Sequence, residues 1–322
     1  MIPPAPYQIV GSEFLAARRF ALLGDEMRVR KSRQAIMAAE KLDLKSIIVV
    51  CPAIAVAHWR AEFQRWWPTC TADVEVMSYD RLRRSERKEV LRRRDLAIVD
   101  ECHFAKNPEA KRTKMVYGKG GLGWVCDRLW ALSGTPAPKH AGELWPMMKA
   151  FGVEPLDYDQ FINRYCVINS FTLQIKGTKT EMIPELKEKL KSIMLRRTRK
   201  EVAPDMPAID FQFLEVDPRP STKVDLNAGS GMTDEQLEAW ITANAATDTS
   251  NRREVALAKA ESLIEIVDFT LDNNLLAQTV VFGWHKEPLQ RVCWGLTARG
   301  HRAALLTGDS TQSQRERVQV DF

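Results

Sequence analysis

Leu96-Ala97-Ile98-Val99-Asp100-Glu101-Cys102-His103 is the stretch on which the fold of this 322-residue chain turns. Four apolar residues, two of them β-branched, stop abruptly at two carboxylates. That is the pattern of a buried strand that ends by releasing acidic groups at its carboxyl end. The same pattern recurs on either side. Phe20-Ala21-Leu22-Leu23 precedes Asp25-Glu26-Met27-Arg28-Val29-Arg30-Lys31-Ser32, and Leu129-Trp130-Ala131-Leu132 precedes Ser133-Gly134-Thr135-Pro136. Further apolar runs at 47–51 and 74–77 alternate with amphipathic stretches. A strand-helix series of this kind predicts an α/β fold with a parallel sheet covered on both faces. Ligands in such folds bind beyond the carboxyl ends of the strands, where all three signatures then fall.

Length predicts more than one core. We expect a first α/β lobe over 1–153, a helical insertion and linking region over 154–216, and a connector plus an incomplete second α/β lobe over 217–322. The insertion is charged and helix-prone, notably Glu185 to Lys191. Phe211 to Val216 suits one strand, and Asp217 to Asn251 is rich in turn residues around a helical piece at 234–244. Beyond it, Ala256, Leu257, Ala260, Leu263, Ile264, Val267 and Leu271 carry helical spacing over 253–276. Strands are then expected at 279–282 and 303–306, with helices at 289–299 and 312–321. Two strand-helix pairs are too few to bury a sheet on both faces, so the natural polypeptide is expected to continue.

Hydrophobic residues make up 45% and charged residues 28%, the composition of a folded globular protein, and 47 Lys and Arg stand against 42 Asp and Glu. The modest excess suits a polyanion partner without requiring one. No run of about 18 apolar residues occurs, and Met1 to Tyr7 is proline-rich, so neither a membrane span nor a secretion signal is expected. The expected location is intracellular, cytoplasmic or nucleoid-associated. Six scattered cysteines and five histidines lack metal-ligand spacing, which predicts reduced thiols and no structural zinc; Cys102 suits a packing role between two functional neighbours.

Lys31-Ser32 opens the helix after the first strand, where free N–H groups and the helix dipole favour phosphate. A lysine there suits the β- and γ-phosphates, and the Ser32 hydroxyl suits Mg²⁺. Asp100 suits the same ion and Glu101 suits polarising a water, although paired carboxylates also occur as plain solvated turns. Ser133 and Thr135 suit sensing the γ-phosphate, or simply making a turn. Arg28 and Arg30 stand where a phosphate loop ordinarily carries glycine. If their φ angles are positive, each costs on the order of 1 kcal/mol and a side chain intrudes on the cradle. The run from Arg81 to Arg94 has eight Lys or Arg against Glu86 and Glu89, which suits a solvated helix face or a contact to phosphate backbones. Trp59, Trp66 and Trp67 suit packing or base stacking. His58 and His140 are read as structural.

These motifs in this order resemble helicase superfamily two. Glu143-Leu144-Trp145, Met194 to Val202 with its Leu195-Arg196-Arg197, and Thr307-Gly308-Asp309-Ser310 with Gln314-Arg315 resemble the Swi/Snf type of DNA translocase, nearest its bacterial, phage and annealing-helicase branch. The resemblance covers Tyr7 to Phe322. It implies RecA-like lobes, ATP and Mg²⁺ as cofactors, and double-stranded or branched DNA as partner. By position, Gln8 would read adenine, and Asp25, Met27, Lys31 and Ser32 would line the nucleotide. Ser32 and Asp100 would hold the metal, Lys31, Asp100 and Glu101 would be catalytic, and Ser133 and Thr135 would couple the sites. Arg81, Arg83, Arg84, Arg196 and Arg197 are the candidates for DNA. Three departures stand out: Arg28 and Arg30, Lys139 in place of a common asparagine, and the absence of the family's later motifs. They predict an impaired ATPase, a noncatalytic DNA-binding module, or an ATP-binding switch without turnover.

Overall fold

The computed structural model describes residues 3–204, 214 and 245–322. The chain forms two compact units, Met1–Ala208 and Ile209–Phe322. In the first, β1 (Phe20–Leu23), β2 (Ser46–Cys51), β3 (Asp73–Ser78), β4 (Arg94–Asp100) and β5 (Cys126–Leu132) fall on the five apolar runs. A hairpin of β6 (Cys166–Ile168) and β7 (Ile175–Thr178) follows, then β8 (Met194–Leu195). Helices α1 (Pro6–Ala16), α2 (Lys31–Lys41), α3 (Val56–Trp66), α4 (Tyr79–Arg84), α5 (Arg87–Val90) and α6 (Lys111–Val116) intervene. They are followed by α7 (Leu122–Val125), α8 (Trp145–Ala150), α9 (Tyr158–Tyr165), α10 (Ile183–Leu190) and α11 (Arg199–Val202).

Six strands form one sheet in the order β3-β2-β4-β5-β1-β8, every pairing parallel. Because side chains alternate along a strand, each strand feeds both faces. Leu22, Ile48, Val50, Ala97, Val99, Leu129 and Ala131 pack beneath α4, α6, α8, α9 and α10. Ala21, Leu23, Ile47, Val49, Ile98, Trp130 and Leu132 pack beneath α1, α2 and α3. This is the three-layer RecA-like lobe that unbroken apolar strands require.

Residues 154–202 are not wholly helical. They include the antiparallel β6–β7 hairpin and supply β8 to the main sheet, whose edge accepts it through Leu22 N to Ile193 O at 2.7 Å and Gly24 N to Leu195 O at 2.7 Å. The first unit thus takes in most of the region that composition sets apart.

The second unit contains α12 (Ala245–Asp272), α13 (Lys286–Ala298) and α14 (Gln312–Asp321); α12 and α13 pack together around a small core of Ala260, Ile264, Val267, Val292 and Leu296. The strands expected at 279–282 and 303–306 do not form: among the described residues of this unit no ladder pairs them. An apolar run becomes a strand only with a hydrogen-bonded neighbour, so those runs carry no regular structure, and Phe282 is exposed. The strand expected at 211–216 and the helical piece at 234–244 lie outside the described residues. None of the described helices is long and apolar enough to cross a membrane.

Candidate functional site

Leu195, Leu23, Leu132 and Asp100 stand in one register across β8, β1, β5 and β4. The signatures that follow these strands therefore leave four consecutive strands at one edge of the sheet. Between Gly24 and α2, Arg28 (φ 69°) and Arg30 (φ 51°) are both left-handed, and buried Val29 anchors the loop between them. The two positions where the sequence lacks glycine are thus positions whose backbone favours it. Both arginine side chains are exposed.

Lys31 Nζ donates to the carbonyls of Asp25 (2.9 Å) and Glu26 (3.1 Å). Burial pulls its pKa down, while Glu101, Asp100 and Asp25 push it back up, so the ammonium and the acidic pair share one side of the lobe. The Ser32 hydroxyl donates to Glu62 Oε2 at 3.3 Å.

Asp100 Oδ2 accepts from Trp59 Nε1 at 2.8 Å, Oδ1 accepts from the Glu101 amide at 3.1 Å, and the Asp100 carbonyl accepts from the Tyr79 hydroxyl at 2.8 Å. Burial raises the Asp100 pKa above the ordinary carboxylate value; the Trp59 hydrogen bond opposes that rise and the neighbouring Glu101 adds to it. Such a carboxylate is primed to gain from a cation. Glu101 itself is left-handed (φ 48°), a third strained residue at the rim. Its Oε2 accepts from Ser133 Oγ at 3.3 Å and lies 3.2 Å from His103 Nδ1, which is 3.1 Å from Ser133 Oγ. The Thr135 amide donates to Ser133 Oγ at 3.1 Å, while its side chain is exposed. Cys102 is buried with its thiol pKa pushed up by desolvation, as a packing residue would be.

The remaining expected residues divide. Gln8 is buried, accepting from the Ala5 amide (3.0 Å) and Arg33 (3.2 Å); Met27 is exposed. Asp25 is fully buried against Arg197. Arg196 Nη1 donates to the carbonyls of Gly24 and Gly134, both at 2.9 Å, joining two signature loops. Both arginines of the Leu-Arg-Arg stretch are therefore bonded to groups of the first unit, Arg197 half-buried and Arg196 still exposed. Gly134 suits this junction, since a Cβ there would meet Met27 N at 3.2 Å. In the basic run, Arg81, Arg83 and Arg84 lie on α4, while Arg94 is buried and paired with Glu75. Trp59, Trp66 and Trp67 are buried, so they pack rather than stack on bases. Sequence reasoning missed Trp59, Tyr79, His103 and Glu62 as partners of the signatures. Only His103, next to the acidic pair, had a local signal.

Residues 68–223 match the family model of the SNF2-related domain. The chain is 27% identical to "SWI/SNF-related matrix-associated actin-dependent regulator of chromatin subfamily A-like protein 1" of Xenopus tropicalis, over 97% of this chain and 35% of that protein. It is 29% identical to the Caenorhabditis elegans homolog of that protein, over 63% and 32%. It is 28% identical to "TATA-binding protein-associated factor mot1" of Aspergillus fumigatus, over 66% and 14%. The chain thus spans about a third of the length of the first two relatives. Motif order, the RecA-like lobe and these matches together support a Snf2-type protein of helicase superfamily two.

Proposed function

We propose that this chain provides the ATP-binding lobe of a motor that moves on double-stranded or branched DNA, with ATP and Mg²⁺ as cofactors and with turnover held low by Arg28 and Arg30. The observation that carries this reading is the gathering of Lys31, Asp100, Glu101 and Ser133 on one rim, each leaving or following an adjacent strand end. The donor set fits a magnesium-bound triphosphate: a partly buried ammonium, the amino terminus of an eleven-residue helix, and a carboxylate whose ionised form burial disfavours. Bound ATP would supply the scissile phosphoanhydride, and Mg²⁺ the charge that offsets its phosphates.

In this reading Lys31, which rests on the Asp25 and Glu26 carbonyls, would hold phosphate oxygens when ATP is bound. Ser32 and Asp100 would hold the ion, and Trp59 keeps the Asp100 carboxylate in place. Glu101 orients the attacking water, and Ser133 with His103 links Glu101 to the loop ending in Thr135. Gln8 and the 25–27 loop border the base and sugar. Arg81, Arg83 and Arg84 meet phosphate backbones without reading sequence. We place the protein inside the cell and nearest the bacterial, phage and annealing-helicase branch of the Swi/Snf type.

The test is DNA-stimulated ATP hydrolysis by this chain and by Arg28→Gly with Arg30→Gly. A rate in the double variant at least about tenfold above the parent, about 1.4 kcal/mol of barrier, supports a motor damaged at its phosphate loop. A second reading, an ATP-binding switch or a noncatalytic DNA-binding module, draws on the engagement of Lys31 with two carbonyls and of Ser32 with Glu62. Labelled ATP that binds without hydrolysis in both proteins supports the switch, and DNA binding with no ATP binding in either supports the module.

A further inference from the structure

We infer that Arg197 is a positioning residue for Lys31, fixing through Asp25 and Glu26 where the phosphate-binding ammonium rests; the inference builds on the ATP reading of this site. Asp25 is fully buried, and Arg197 serves its carboxylate three times. The Arg197 amide and Nε each reach Oδ1 at 3.1 Å, and Nη2 reaches Oδ2 at 2.5 Å. The same guanidinium extends to the Tyr7 carbonyl at 2.8 Å and to Gln34 Oε1 at 3.0 Å. One side chain therefore ties together α1, the phosphate loop and α2, using the planar fork that lysine lacks.

The backbone completes the clamp. Glu26 N donates to Arg197 O at 3.0 Å, and Glu26 Oε2 accepts from the Arg199 amide at 2.8 Å. Residues 24–26 are thereby zipped to residues 195–199. The carbonyls of Asp25 and Glu26, which belong to the zipped strip, are the two acceptors of Lys31 Nζ. The Asp25 carbonyl shares a planar peptide with Glu26 N, so it cannot turn without breaking the bond to Arg197 O, while Glu26 is tied to Arg199 through its side chain. Residues 199–202 are in sequence the last described helix before the second unit, so a shift of this segment is transmitted to the lysine through the strip.

The experiment measures acylation of Lys31 by an amine-reactive acetylating reagent on the folded chain, read by mass spectrometry against exposed Lys41 on the same helix. In the parent, Lys31 is expected to react more slowly than Lys41. Arg197→Lys keeps a cation near Asp25 but loses the fork, and Asp25→Asn keeps the shape but loses the charge. Either, when folded by its melting curve, is expected to change the Lys31-to-Lys41 ratio by about threefold or more and to weaken labelled-ATP binding about tenfold, the scale of one charge-assisted hydrogen bond. A purely structural ion pair would lower the melting temperature and leave the ratio unchanged. That result, or a parent Lys31 as reactive as Lys41, overturns the proposal. If the parent binds no ATP, the nucleotide reading fails while the labelling ratio still decides the role of Arg197.

Discussion

Trp59 Nε1 donates to Asp100 Oδ2 across 2.8 Å, so a fully buried residue of α3 holds the carboxylate that ends β4. The bond favours the ionised carboxylate, opposing the rise that burial imposes. Trp59→Phe removes it, and the Asp100 pKa climbs further. Since a metal ligand must be ionised, the acid limb of Mg²⁺-dependent ATP binding moves to higher pH, and more Mg²⁺ is needed at fixed pH. The smaller ring also costs roughly 1–3 kcal/mol of stability through the space it leaves. Titration of ATP binding against pH in both proteins is the check; coincident acid limbs contradict the role assigned to Trp59.

The basic run contains two kinds of arginine. Arg83 and Arg84 are exposed on α4, whereas the Arg94 side chain is 1% exposed, donates to the Val90 carbonyl at 2.7 Å and pairs with Glu75. Arg83→Ala with Arg84→Ala is expected to reduce the slope of log K against log salt for duplex DNA by about 1–2, one unit per lost phosphate contact, with the melting temperature little changed. Glu75→Gln is expected to do the reverse: about 2 kcal/mol of stability lost because a buried guanidinium loses its carboxylate, with Glu75 itself partly exposed, and no change in the salt slope. Salt-dependent DNA binding and chemical denaturation of the two variants separate these outcomes.

Strand-scale patterns made the sheet legible, because five apolar runs ending in polar signatures can only be buried as parallel strands side by side. β8 escaped because two residues, Met194 and Leu195, show no periodicity; the free edge of β1 alone makes them a strand. The site was legible where chemistry is local, as at Lys31, Ser32, Asp100 and Glu101. It was not legible where chemistry comes from chain segments far apart. Arg197 meets Asp25 across 172 residues and Trp59 meets Asp100 across 41, and neither separation leaves a mark on the sequence. In the second unit the runs at 279–282 and 303–306 have strand composition but form no ladder among the described residues.

Gly11 tests how tightly α1 sits on α2. A Cβ at this position would lie 1.7 Å from Gln34 Oε1 and 3.0 Å from Arg197 Nη2. Gln34 is fully buried and donates to the Val29 carbonyl at 3.1 Å, so it has nowhere to swing. Gly11→Ala is therefore expected to destabilise the first unit by about 1–3 kcal/mol, the usual cost of overpacking, despite alanine's better helix propensity. Denaturant melts of the variant would show it; a stability equal to or above the parent would mean that α1 is free to move away.

Glu185 gives a prediction that does not depend on the nucleotide site. It accepts a fork from Arg164, Nε to Oε1 at 3.1 Å and Nη2 to Oε2 at 2.7 Å, and a third bond from the Tyr165 hydroxyl at 2.5 Å. The Arg164 hydrogen bonds, followed by that of Tyr165, hold its pKa down at about 2 against an ordinary 4.5. For a carboxylate with a depressed folded-state pKa, the stabilisation is present in full above the unfolded value and is lost as pH falls toward the folded one. The ties between α9 and α10 should therefore weaken between about pH 4.5 and 2. Glu185→Gln removes the titrating group, so its melting temperature is expected to be lower than the parent's at pH 7 and to converge with it as pH drops through that window. Melting curves at pH 7, 4, 3 and 2 measure the gap, and a gap that stays constant with pH would show that the fork contributes nothing to the acid response.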